Sequence, residues 1–257
     1  MQVTRVAIRA GEQVAAVELV AGLIVPRLIS RTASSAEVAL VAGGALLLGG
    51  DRVDIEITVG AGCRLELADV GGTVAYDAQG DPSSWSVRIV VDDTASLYWH
   101  GLPMVVADGA DVERSTRMAL APNAHAVLRE TVVLGRSGEV GGRLRTRTDV
   151  ERGGVPVVVE SVEVRPGRRE PGVLGAHRVL DTVLAVGFRP PVGAADLRLE
   201  QPGALARFLG SQTHRSELDE VWRRWRDAAG VVDGGVGGGD ATGVVDGGVG
   251  ADCATAS

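Results

Sequence analysis

From Val3 to Val186, apolar and polar residues alternate in short runs or gather into β-branched clusters, and Gly, Asp, Asn and Pro interrupt them repeatedly. A period of two, without helical periodicity, predicts many short strands. Clear examples are VRIVV ending at Val91, AHAVLRETVVL ending at Leu134, RLRTRTDVE from Arg143, and VPVVVESVEV ending at Val164. The last two flank Arg152-Gly153-Gly154, where glycine permits the positive φ that a tight turn demands, so an antiparallel hairpin is predicted there.

An internal repeat runs through this region. An apolar residue, three turn-forming residues and a small residue recur in VGAGCRL from Val59, VDDTASL from Val91, VADGADV from Val106 and LAPNAHA from Leu120. The later copies lie about fifteen residues apart, a spacing that suits strand-turn-strand units stacked in layers. Past Gly187 the pattern changes. After Pro190-Pro191, Leu205, Phe208 and Leu209, then Leu218, Val221, Trp222 and Trp225, fall at helical spacing between Gly203 and Ala229. Two short helices are expected, the second ended by Gly230 and anchored to the β core through Trp222 and Trp225. From Val231 onward VVDGGVG occurs twice in a Gly, Asp and Ala tail with too little side chain to pack, which reads as disordered. The organisation expected is one mainly β domain over residues 1–230, a β-helix-like stack of short strands with a small C-terminal helical part, followed by a disordered tail over 231–257.

Composition narrows the function. Hydrophobic residues make up 45% of the chain, enough for a core. All 26 basic residues are Arg, so lysine Schiff bases, lysine nucleophiles and the P-loop lysine are ruled out. A net charge of -7 and only 3% aromatic residues speak against nucleic acid as a partner. Setting aside the tail acids Asp233, Asp240, Asp246 and Asp252 leaves the folded part near -3, too little for strong electrostatic steering. Cys63 and Cys253 give no disulfide framework, the start carries no apolar leader, and no window is long and apolar enough to span a membrane. A cytoplasmic protein is expected.

Candidate chemistry is sparse. His100, His125, His177 and His214 are dispersed, none with a second ligand at metal-site spacing, so no permanent zinc or nickel site is expected. His125 reads as solvent-facing in an alternating strand and His214 as lying near a helix start; His100, beside Trp99 in a Gly-Pro bend, is the histidine singled out for function. No G-x-S-x-G elbow and no phosphate-binding loop is present. Two turns are more specific. GGALLLGGD, Gly43 to Asp51, places Asp51 at a turn entering the strand RVDIEITV, where an Asp also serves by hydrogen-bonding its own turn. GRSGE, Gly135 to Glu139, makes Arg136 and Glu139 project from one tight connection, where a structural ion pair is the plain interpretation.

In order and spacing, these two turns resemble the UreD (also called UreH) family of urease accessory proteins. LYWHGLPMVVADGA, Leu97 to Ala110, is similar to the family's segment between them, and the likeness extends from about Val17 to Val186. The chain departs from the family pattern at Tyr98, where an acid is usual, at Gly101, which replaces the first Pro of the bend, and after Leu67, where Thr73 stands alone in a strand usually rich in Thr and Gln. The resemblance implies a β-helix-like fold and a non-enzymatic role: a scaffold that binds apo-urease, a UreF-like protein and a UreG-like GTPase so that nickel reaches the urease active site. It implies no permanently bound cofactor, only nickel in transit along isolated carboxylates, with Asp51 and Glu139 near the path and Arg136 orienting Glu139. Two other readings compete: a generic β-rich binding module unrelated to urease, and a hydrolase using Asp51 or Glu139 with His100.

Overall fold

The computed structural model describes residues 2–168 and 172–235. Its strands, in chain order, are β1 (Thr4–Arg9), β2 (Ala16–Val20), β3 (Ile24–Arg31), β4 (Ser35–Ala42), β5 (Arg52–Val59), β6 (Arg64–Asp69), β7 (Thr73–Ala75), β8 (Ser83–Val91), β9 (Ser96–His100), β10 (Met104–Val106), β11 (Asp111–Leu120), β12 (His125–Leu134), β13 (Arg143–Arg152), β14 (Val155–Val164), β15 (Val179–Val186), β16 (Leu197–Arg198) and β17 (Gly203–Gly210). A 3-10 turn at Thr213–Arg215 and one helix, α1 (Leu218–Gly235), complete them.

Two sheets face each other. The first has the order β14-β13-β11-β8-β5-β1-β2, and the second β16-β17-β15-β12-β9-β6-β4-β3, with β10 beside β12 and β7 beside β10. Within the first, β1, β5, β8, β11 and β13 are parallel; within the second, β4, β6, β9 and β12 are. The chain therefore winds from one sheet to the other and back, stacking a rung at a time as the layered repeat predicts. Hairpins close the ends, including β13-β14 through Gly153 (φ 58°) and Gly154 (φ 78°), at the position expected.

The repeat turns share one hydrogen bond. In each, the small residue donates its N–H to the residue three before it: Cys63 to Gly60, Ala95 to Asp92, Ala110 to Ala107 and Ala124 to Ala121, at 3.0–3.1 Å. A fifteen-residue spacing is half a rung. The copies at 59, 91 and 120 consequently stack on one rim, and the copy at 106 belongs to the opposite rim.

Stacked side chains fill the interior, and their character changes along the solenoid. One inward row of the first sheet runs Ile57, Ile89, Met118 and Val150, apolar throughout. The next two begin apolar and end polar: Ile55, Val87, Thr116, Thr148, and Val53, Trp85, Arg114, Thr146. Across the gap, Glu130 of β12 sits level with Thr182 of β15 and Arg207 of β17. The last rungs thus enclose a polar layer.

Two expectations for the C-terminal part are corrected. Gly203–Leu209 is not a helix; it lies within β17, paired with β15 on one side and β16 on the other. The one α-helix among the described residues does not stop at Gly230 but continues to Gly235, five residues past that expected end. A helical glycine costs only about 1 kcal/mol relative to Ala, and here Cβ space is open apart from the Arg64 guanidinium 3.7 Å away. The tail beyond Gly235 lies outside the described residues. Trp225 is fully buried and Trp222 packs beside it against the outer face of the second sheet, so the tryptophans do anchor the helix.

Candidate functional site

Asp51, Arg136 and Glu139 all lie on one rim, in turns that carry the chain from the second sheet to the first. Glu139 folds back on its own turn. Its carboxylate accepts from the Arg136 backbone N–H (2.8 Å), the Arg136 Nε (2.8 Å) and the backbone N–H of Asp108 (3.3 Å). Asp108 reciprocates, accepting from the N–H groups of Val140 (3.0 Å) and Gly141 (2.7 Å) in the next turn. The Arg136 guanidinium, with the backbone N–H donors, lowers the Glu139 pKa to about 2, so the carboxylate is ionised throughout the neutral range. Asp51 makes the simpler arrangement. Its Oδ2 accepts from the Leu48 N–H (3.0 Å), closing the turn before β5. Arg136 and Glu139 are brought together, whereas Asp51 stands three strand spacings away along the rim, roughly 14 Å. Asp108 was not singled out in the sequence; its Asp-Gly turn, VADGADV, was the available signal.

The polar layer forms a second locus. A narrow cleft, of about 60 Å³, runs between β11, β13 and β14 on one side and β12, β15 and β17 on the other. Two carboxylates line it, each held by an arginine. Glu130 accepts from Arg114 Nη2 (2.8 Å) and Thr116 Oγ1 (2.9 Å), and Glu160 takes both Nη atoms of Arg207 at 2.7 Å. A smaller cavity, of about 20 Å³, lies where the β9-β10 rung breaks at Gly101, and it shares Arg114, Leu128 and Glu130 with the cleft. Gly101 is required at that break, because a Cβ would come within 2.5 Å of the Arg129 carbonyl oxygen. Asp69 lines this cavity, accepting from Trp99 Nε1 (3.0 Å) and Leu102 N–H (2.9 Å), and burial pushes its carboxyl pKa up. Trp85 Nε1 and Arg114 Nε are buried without a partner among the described residues. The interior therefore offers hydrogen-bonding groups beyond those the protein itself satisfies. None of Asp69, Glu130 and Glu160 was picked out in the sequence.

His100 belongs to neither locus. It ends β9 on the outer face of the second sheet, its Nε2 3.0 Å from both Asp219 Oδ1 and Arg129 Nη1, with the Trp222 ring edge-on at 4.9 Å. Arg129 also pairs with Asp219 directly and with buried Asp181 through Nε (3.1 Å) and Nη2 (2.8 Å). His100 thus helps fasten α1 to the sheet, and the hydrolase constellation of His100 with Asp51 or Glu139 is not assembled. His125 corrects its expectation: it is 4% exposed rather than solvent-facing. The helix and Phe188 cover that face, and His125 Nε2 lies 3.0 Å from the Tyr98 hydroxyl, one of the positions that departs from the family pattern. His177 and His214 are exposed, and Cys63 is buried, its thiol pKa raised by burial. Among the described residues no three His, Cys, Asp or Glu side chains come together as a metal site. No helix among them is long and apolar enough to cross a membrane.

A family model described as UreD urease accessory protein matches residues 9–232. The chain is 42% identical over 209 residues to urease accessory protein UreD 1 of Streptomyces griseus, covering 79% of this chain and 82% of that one. It is 34% identical over 208 residues to urease accessory protein UreD of Streptomyces coelicolor, covering 74% and 82%. With urease accessory protein UreD of Frankia alni it shares 37% identity over 199 residues, covering 66% and 67%.

Proposed function

The chain belongs to the UreD family of urease accessory proteins, and from that premise we propose that it is a non-catalytic scaffold that binds apo-urease with UreF-like and UreG-like proteins and guides nickel toward the urease active site. What supports the path is the arginine-held carboxylate layer inside the solenoid. Nickel in transit needs oxygen ligands that bind it and let it go. Glu130 and Glu160 each already accept charge-assisted bonds from an arginine, so a divalent ion that engages them competes with a strong resident donor and is not trapped. Asp69 sits on the far side of the Arg114–Glu130 pair, in the smaller cavity, and extends the series of carboxylates.

Asp51 and Glu139 enter this reading as rim carboxylates at the ends of the rungs, with Arg136 orienting Glu139. Their oxygens accept backbone N–H groups, so they shape the rim turns as well as supplying negative charge there. Nucleotide chemistry falls to the UreG-like GTPase, since this sequence has no lysine and no phosphate-binding loop.

The reading is tested by affinity purification of the tagged full chain from cells that express the urease operon. Urease subunits and both accessory proteins are expected in the same fraction, in constant ratio. Recovery of the chain alone, under conditions where the other proteins are soluble and abundant, would refute the scaffold.

A further inference from the structure

Two buried N–H groups border the smaller cavity, and neither has a partner among the described residues. Trp85 of β8, 7% exposed, lines it with an indole Nε1 that meets no acceptor. Arg114 of β11 also lines it, leaving Nε unbonded while Nη2 reaches Glu130. Both belong to the row of the first sheet that runs Val53, Trp85, Arg114 and Thr146. A buried donor left unsatisfied costs its full desolvation, so two of them on one small cavity call for an occupant.

Two carboxylates line the same cavity from the second sheet. Asp69 of β6 takes one bond at each oxygen, from Trp99 Nε1 and the Leu102 N–H. Glu130 of β12 takes two at Oε1, from Arg114 Nη2 and Thr116 Oγ1. An ionised carboxylate offers about four lone-pair sites, so each retains acceptor capacity. Space sets the size of the occupant: the cavity holds about 20 Å³, and a water molecule needs about 10–15 Å³ of such space. Hydrogen bonding sets its kind. Two donors and two acceptors complement a molecule that accepts two bonds and donates two, which is water. A bare cation would face the indole N–H and the Arg114 guanidinium, and an anion would face Asp69 and Glu130.

We propose that the smaller cavity binds one structural water, which accepts from Trp85 Nε1 and Arg114 Nε and donates to Asp69 and Glu130. It bridges the two sheets where the β9-β10 rung breaks at Gly101, and it joins Asp69 to Glu130, coupling the cavity to the cleft. The site depends only on the interior of this chain, whatever its partners are. The test is a crystal structure of the full chain, from crystals grown with and without nickel, at a resolution that shows ordered water. One peak is expected in the cavity, within about 2.7–3.2 Å of all four groups, with no anomalous signal at the nickel edge in either crystal. In solution, relaxation dispersion of isotopically labelled water counts long-lived buried waters, and Trp85→Phe is expected to hold one fewer than the wild type. A cavity without density, a nickel signal in it, or an equal count in a folded Trp85→Phe variant would overturn the assignment. If Trp85→Phe fails to fold, the wild-type crystals decide.

Discussion

Asp181→Ala is expected to lower the free energy of unfolding by about 3–5 kcal/mol, the cost of breaking a buried ion pair on one side. Asp181 is fully buried in β15, and its two oxygens accept from Arg129 Nε and Nη2, from Thr131 Oγ1 (2.8 Å) and from Ser216 Oγ (2.6 Å). Those donors come from β12 and from the segment just before α1, so one carboxylate ties the helix entry to the sheet. Without it the Arg129 guanidinium, 10% exposed, keeps only the partly exposed Asp219 as counter-charge. Urea unfolding followed by tryptophan fluorescence reads the effect, because Trp222 and Trp225 report helix docking. A loss below about 1 kcal/mol, the size of a surface pair, would mean that this cluster does not fasten the helix.

The second large effect concerns transfer. Glu130→Gln preserves volume and one acceptor oxygen but removes the charge shared by the cleft and the smaller cavity, and it is expected to cut nickel-dependent activation of urease roughly tenfold. Formation of the complex is expected to be unchanged, since Glu130 faces the interior. Activation assays with purified components and fixed nickel, alongside size-exclusion of the complex, separate the two. Full activation by Glu130→Gln would remove the inner carboxylates from the path.

Most of the β architecture was legible because alternation survives wherever one strand face is buried and the other wet, as in Arg52–Val59. It failed where both faces are covered. β17 lies between the interior and α1, so Ala204, Leu205 and Ala206 are all buried, the period of two vanishes, and Leu205, Phe208 and Leu209 mimic a helix. His125 was misplaced for the same reason: its strand looks alternating, but α1 and Phe188, which lie far along the chain, cover the side assumed wet. At the rim, the Arg136–Glu139 contact was visible because it is local, three residues apart. Glu130 and Glu160 were not. Each is one acid in a strand, and only the winding of the rungs sets them opposite Arg114 and Arg207 in a shared interior.

The nickel content and activity of urease purified from cells with and without this chain, at limiting nickel, test the central claim most directly. Urease made without it is expected to hold little nickel and to show correspondingly little activity, both recovering when the chain is supplied again. Fully loaded, fully active urease from cells that lack it would contradict the role assigned here.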